Sequence, residues 1–141
     1  MRSIKARLSM KDETRLWLVY AQENLTSALV LLQSCLFNPC LQNIQQAVEK
    51  SLKACLVEQG QKIRKTHSIN ELVAIMTALH CDVGIDEDEC DLLDTIYLPS
   101  KYPLGNILPD FSPDSELCQR CLTIAEKVIK NVNSIVVSSI F

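Results

Sequence analysis

An all-α fold, an antiparallel up-and-down bundle of about five helices, is what this sequence predicts, and three observations predict it. Apolar residues recur at spacings of three and four in each long segment, and no segment alternates as a strand would. Leu, Ile, Val and Ala are abundant, against only three glycines and three phenylalanines, a balance that suits helices better than a turn-rich sheet fold. Capping residues stand at the breaks between the periodic runs. With 141 residues, 48% of them hydrophobic, the chain is expected to form one domain that buries a core without staples.

The first helix is expected to begin near Ser9, a capping residue with Asp12 three positions on. Its apolar face reads Leu16, Trp17, Tyr20, Ala28, Leu31, Leu32 and Cys35. Asn24 interrupts that face, so it either finds a partner inside or turns to the edge. Asn38-Pro39 offers a cap followed by proline at the first helical position, where a missing N–H is no loss. The second helix runs from there to about Gln59, with Gly60 as its left-handed stop. Ile44, Val48, Leu52, Cys55 and Leu56 form its stripe. Ser68-Ile69-Asn70-Glu71 is a capping box that opens a third helix, burying Ile69, Leu72, Val73, Met76 and Leu79 and ending near His80. The acidic run from Asp86 suits the start of a fourth helix, where the macrodipole favours negative charge, with Leu93, Ile96 and Tyr97 as its apolar side. Pro99 to Pro113 holds four prolines and Gly105 and reads as the longest loop, a natural place for function. Ser112-Pro113 opens a fifth helix with Leu117, Cys121, Ile124, Ala125, Val128, Val132 and Ile135 on one face. Short connections and facing stripes make these helices antiparallel neighbours, with Trp17, Leu52, Val73 and Ile124 meeting in the core. Residues 1–10 are read as a basic tail, 11–137 as the bundle and 138–141 as a C-terminal tail.

The net charge of −3 gives no general attraction to nucleic acid, but its distribution is lopsided. Lys50, Lys53, Lys62, Arg64 and Lys65 face one acid, Glu58, between positions 50 and 67, while positions 86–94 carry six acids and no base. That asymmetry suits an anionic ligand or charged partner near the basic segment. No apolar run reaches the roughly 18 residues of a membrane span. Arg2, Lys5 and Arg7 are followed by no apolar stretch of the kind a secretory signal needs. Seven cysteines, an odd number, are expected to be reduced thiols of a cytoplasmic protein with no intrachain disulfide.

Gln45, Gln46, Glu49, Lys50 and Lys53 crowd the edge of the second helix's apolar stripe. They read either as a solvated flank with a Glu–Lys pair one turn apart or as a binding face. His67 precedes the cap Ser68 beside Lys62, Arg64 and Lys65. A helix N-terminus next to cations is a ready anion site, and a histidine there equally well satisfies local backbone groups. His80 is expected to meet the last carbonyls of the third helix. Cys118-Gln119-Arg120-Cys121 lies inside a helix. It lacks the second ligand pair of a zinc site and the strand-to-helix turn of a redox motif, so these are read as packing cysteines. The acids of the fourth helix read as a solvated face rather than a magnesium site. Phosphate-loop, dinucleotide-glycine and GxSxG motifs are absent, and no metal or cofactor is expected.

Three stretches then resemble the HEPN domain family of small, largely prokaryotic helical proteins. Gln46-Ala47-Val48-Glu49-Lys50-Ser51-Leu52-Lys53-Ala54 is similar to the family's QAxEKxxKA stretch. Lys65-Thr66-His67-Ser68-Ile69 with Leu72 is similar to its THxL segment, and Tyr97-Leu98-Pro99-Ser100-Lys101-Tyr102-Pro103 to its YxxSRYP segment. Trp17 and Ala28 stand where the family's first helix carries an aromatic and a small residue. The resemblance runs in order from about Lys11 to Val136.

The resemblance implies a helical bundle that commonly dimerises, and links to nucleotides or RNA. It also implies, as alternatives, a metal-independent ribonuclease toxin paired with a nucleotidyltransferase, or a scaffold that only oligomerises. Ribonuclease members carry an arginine, a polar residue and, four to six positions on, a histidine. Here Lys101 and Tyr102 stand first, and Asn106, Ile107 and Leu108 occupy the positions of the histidine. Lysine lacks the planar fork that grips phosphate, and RNA cleavage needs a group titrating near neutrality. The expectation is therefore a module that binds nucleotide, RNA or a protein partner without cleaving it. Its ligand-binding residues are expected to be Lys50, Lys53, Lys65, His67, Lys101 and Tyr102, with Glu49 orienting Lys53.

Overall fold

In the structure, a computed structural model, residues 11–62, 65–100 and 113–138 are described. Among the described residues five helices follow one another: α1 (Asp12–Gln33), α2 (Phe37–Glu58), α3 (Ile69–Ala78), α4 (Glu87–Tyr97) and α5 (Ser115–Ser138). No strand occurs among the described residues. The expected antiparallel bundle is what the chain forms. Helix α2 is its centre: it packs along α1, meets α5 on another side, and touches both α3 and α4. Leu41, Ile44, Val48, Leu52, Cys55 and Leu56 are almost fully removed from solvent. Leu72, Met76, Leu93, Ile96, Ile124, Val128 and Val132 close the same core from the other helices.

The first helix turns a different face inward from the one read in the sequence. Thr14, Ala21, Leu25 and Ala28 are buried, whereas Leu16 and Tyr20 stay 55% and 49% exposed. The true stripe is displaced by about a quarter turn at 100° per residue. Alanines 21 and 28 sit on it because small side chains let α1 lie close along α2. Trp17 and Val73 are half-buried at the margin rather than meeting Leu52 and Ile124 in the centre. Asn24 is half-buried too, and partnered: its amide nitrogen donates to Asn43 Oδ1 at 2.9 Å and its oxygen accepts from Lys50 Nζ at 2.8 Å.

Helix ends also depart in places. Ser9 and Ser112 lie outside the described residues; α1 begins at Asp12, and α5 at Ser115 after Asp114, whose carboxylate accepts from Leu117 N–H at 2.8 Å. Helix α2 starts at Phe37, so Asn38 is inside the helix and not its cap. Pro39 falls in the first turn, where no intrahelical donor is needed. The α1 start leans on the α2 end: Thr14 Oγ1 donates to Glu58 Oε1 at 3.0 Å and Lys11 Nζ to the Val57 carbonyl at 3.0 Å. Helices α1, α2 and α3 stop in the same way, on a left-handed residue: Cys35 (φ 58°), Gly60 (φ 78°) and His80 (φ 61°). In each, that residue and the next donate back to carbonyls of the last turn, the paired bonds of a Schellman motif. His80 thus ends α3 with its backbone, not its imidazole.

Asp86 and Glu89 form a reciprocal capping box at the start of α4. The acidic face of α4 is not wholly solvated. Asp94 reaches across to α3 and accepts from Ser68 Oγ, Ile69 N, Asn70 N and Asn70 Nδ2. Gly84 (φ 73°) makes the turn before α4, and a Cβ there would collide with the Asn131 amide, which donates to the Val83 carbonyl at 3.1 Å. No helix among the described residues is long and apolar enough to cross a membrane.

Candidate functional site

Three polar residues one turn apart, Gln45, Glu49 and Lys53, form a ladder along α2, and all three are buried. A buried charge must be paired and hydrogen-bonded, and here the pairing is complete. Lys53 Nζ meets Glu49 Oε2 at 2.9 Å, with both side chains more than 90% buried. The other carboxylate oxygen, Oε1, lies 3.0 Å from His67 Nδ1 and 3.4 Å from Gln45 Nε2, which also donates to the His67 carbonyl at 3.0 Å. The loop before α3 is therefore pinned to α2 by both its backbone and its side chain.

Aromatic rings enclose this ladder. The His67 ring stacks on Tyr97 at the end of α4, with centroids 5.0 Å apart and planes 18° from parallel. The Trp17 ring of α1 has the Lys53 ammonium 5.9 Å from its centroid, within cation–π range. One turn along, Lys50 Nζ lies 5.8 Å from the Tyr20 ring. Lys50 differs from Lys53 in one decisive respect. Its hydrogen-bond partner is the neutral Asn24 oxygen, so its positive charge is not cancelled locally. The amide relay Lys50–Asn24–Asn43–Pro39 carbonyl fixes which way each amide points, since lysine can only donate.

Of the residues expected to bind ligand, Lys53 and His67 meet at Glu49, while Lys50 lies against Asn24 and Tyr20 of α1. Lys53 is at the bottom of the site, half-buried Lys50 is at its edge, and the His67 side chain is 55% exposed. Lys65, two residues before His67, is exposed. Lys101 and Tyr102 lie outside the described residues. The anion site envisaged at the start of α3 is filled from within: the Asp94 carboxylate already takes the backbone donors of Ile69 and Asn70. Two participants were less legible. Gln45 carries a signal, since it precedes Glu49 by four positions and continues the Glu49–Lys53 spacing. The Tyr97–His67 stack joins residues thirty positions apart, and no local pattern reports it.

Chemically, the arrangement offers an oriented imidazole, a buried neutral ion pair and one half-buried ammonium, each beside an aromatic ring. His67 is held through Nδ1, which leaves Nε2 as the nitrogen available outward. No group of three or more metal-ligating side chains exists among the described residues. All seven cysteines are free thiols. Burial pushes those of Cys55, Cys118 and Cys121 up to about 12 from the usual 9.0, and that of Cys90 up to about 11, so they are protonated packing groups rather than nucleophiles.

The family model for the HEPN domain matches residues 14–135. The fold is similar to that of TT1696 from Thermus thermophilus, at 27% identity and a TM-score of 0.74, over 89% of this chain and 99% of that one. It is also similar to ST0689, an archaeal HEPN homologue, at 18% identity and a TM-score of 0.65, over the same shares of the two chains. None of the curated proteins matches the sequence.

Proposed function

Because the chain belongs to the HEPN domain family, we propose that it is a non-catalytic module that binds single-stranded RNA or a nucleotide through Lys50, Lys65 and His67. The observation that carries this reading is Lys50, an ammonium held by a neutral relay beside an aromatic ring. Lys53, buried, is neutralised by Glu49; Lys50, half-buried, keeps an uncompensated charge that an anion can meet. On this reading Lys53 acts from beneath by holding Glu49, and through it His67. Lys101 and Tyr102 are proposed to complete the site, because they belong to the segment similar to the family's YxxSRYP.

Binding of a fluorescein-labelled single-stranded RNA, followed by anisotropy across a salt series, tests the proposal. Affinity should fall steeply as salt rises. The slope of its logarithm should shrink by about 0.7 for each phosphate contact removed, in Lys50→Gln and again in Lys65→Gln. Asp91→Ala should bind as the parent does. No saturable binding at low salt would end the proposal.

One observation favours a second reading, a metal-independent ribonuclease. A histidine oriented by a carboxylate through one nitrogen is a general-base arrangement, and His67 and Glu49 form it at 3.0 Å. Cleavage of labelled RNA that persists in chelator and vanishes in His67→Gln would promote this reading. A two-fold dimer belongs to the proposal as well. It is supported by the apolar Leu29, Val30 and Leu36, left 39–55% exposed at the far end of α1 and the start of α2. A nucleotidyltransferase is proposed as the protein partner on the family resemblance alone.

A further inference from the structure

Near the start of α1 lies a shallow pocket of about 210 Å³, lined by Glu13, Leu16, Trp17 and Tyr20. All four residues come from one helix, at spacings of three and four, on the face that the bundle leaves outside. Leu16 and Tyr20 are about half exposed. The lining is mostly apolar, with a single carboxylate. From the neighbouring helix, two ammonium groups approach the two rings: Lys53 Nζ at 5.9 Å from Trp17 and Lys50 Nζ at 5.8 Å from Tyr20.

We propose that this pocket is a nucleobase-stacking subsite, in which one unpaired base of single-stranded RNA lies against Trp17 and Tyr20. The inference rests on the RNA-binding reading above and adds to it a place and a contact chemistry. Size is the first argument. Pockets that enclose a drug-sized molecule run from about 300 to 1,000 Å³; this one is smaller, so it holds one planar ring system and leaves the sugar and phosphate outside. Charge is the second. A base presents a π face to the rings and drags a negative phosphate with it, and the Lys50 ammonium beside Tyr20 complements that phosphate. Lys50 is the one that can receive the phosphate, since Lys53 is committed to Glu49. An apolar protein side chain would fill the same pocket but make no use of that cation. Glu13 is the third argument. Its carboxylate repels phosphate, so the backbone must run toward Lys50, and it can accept a hydrogen bond from an exocyclic amine on the base edge, as acidic side chains do with cytosine. Adenine and cytosine carry that amine, and uracil does not.

The chain has a single tryptophan, so its fluorescence reports the surroundings of the Trp17 ring. The full chain is titrated with oligoadenylate RNA while Trp17 emission and the anisotropy of a labelled copy of the same RNA are read in parallel. Both signals should saturate at the same concentration. Tyr20→Ala, at a half-exposed position with little effect on folding, should weaken binding roughly tenfold, as expected for the loss of one base stack. Glu13→Gln should reduce the preference for oligoadenylate over oligouridylate. If anisotropy reports binding while Trp17 emission stays constant and Tyr20→Ala binds as the parent does, the subsite is wrong and the RNA-binding reading survives. If neither signal changes at low salt, both fall together.

Discussion

At the scale of single residues, the interior of this bundle carries two kinds of polar commitment with different consequences. Glu49 is the hub of the site, and its three partners are fixed at 2.9–3.4 Å. Removing one member of a buried pair leaves an uncompensated charge, whereas removing both can be nearly neutral. Lys53→Met is therefore expected to destabilise by about 3–5 kcal/mol, and Glu49→Leu combined with Lys53→Met by less than the single change. Urea denaturation of the three proteins checks this, and an additive double variant would refute the pairing. The buried thiols act on the pH axis instead. Desolvation by burial is the main cause of their raised values, so the folded chain keeps protons that the unfolded chain gives up near pH 9. Their contribution is whole below pH 9 and is lost as pH climbs toward 12. Stability should thus decline on alkalinisation from about pH 9, by at most about 1.4 kcal/mol per pH unit for each thiol. Cys121→Ala should lessen that slope, whatever it does to the stability at neutral pH; an unchanged slope would assign the alkaline loss to other groups.

At the scale of elements, the helix stops hold a recoverable strain. Cys35 and His80 adopt the left-handed conformation that suits glycine, and a side chain there costs about 1–2 kcal/mol, part of which glycine gives back as unfolded-state entropy. His80→Gly is expected to raise stability by about 0.5–1 kcal/mol, with a matching rise in the melting midpoint. A loss would mean that the imidazole makes contacts worth more than the backbone strain. These stops also mark where the sequence could be read and where it could not. Gly60 announces its stop by residue type; Cys35 does not, because the left-handed turn there is closed by backbone bonds from Cys35 and Leu36 that no residue type reports. The stripe of α2 was legible because its apolar spacing runs unbroken from Ile44 to Leu56. In α1 the same method failed by about a quarter turn. Leu16, Trp17 and Tyr20 outweigh Ala21 and Ala28 in any count of hydrophobic mass, yet the alanines are buried because α1 and α2 approach closely. The large residues left outside are those of the pocket proposed above, so the misreading falls where apolar residues serve something other than the core. The Glu49–Lys53 pairing followed from spacing. The His67 and Tyr97 contacts needed the third dimension.

At the scale of the whole molecule, exposed apolar side chains stand at both ends of α1. The exposed Leu29, Val30 and Leu36 lie at the opposite end of α1 from Trp17, so a dimer built there leaves the pocket open. Light scattering is expected to give twice the 15.9 kDa chain mass at high micromolar concentration, and Val30→Glu should return it to the monomer. A monomer mass for the parent protein at low salt would count against the dimer. The Asp94 carboxylate has a consequence of another kind. It ties four donors of the first turn of α3 to the body of α4, so neither helix can fray alone. Amide hydrogens of Ile69 and Asn70 should exchange with deuterium on the timescale of α4, as one cooperative opening. In Asp94→Ala they should exchange early and separately. The short third and fourth helices would then behave as a single hinged leaf laid against α2, held shut at its near edge by the Glu49–His67 contact. Their rate of opening would set how often the buried Glu49 carboxylate meets water.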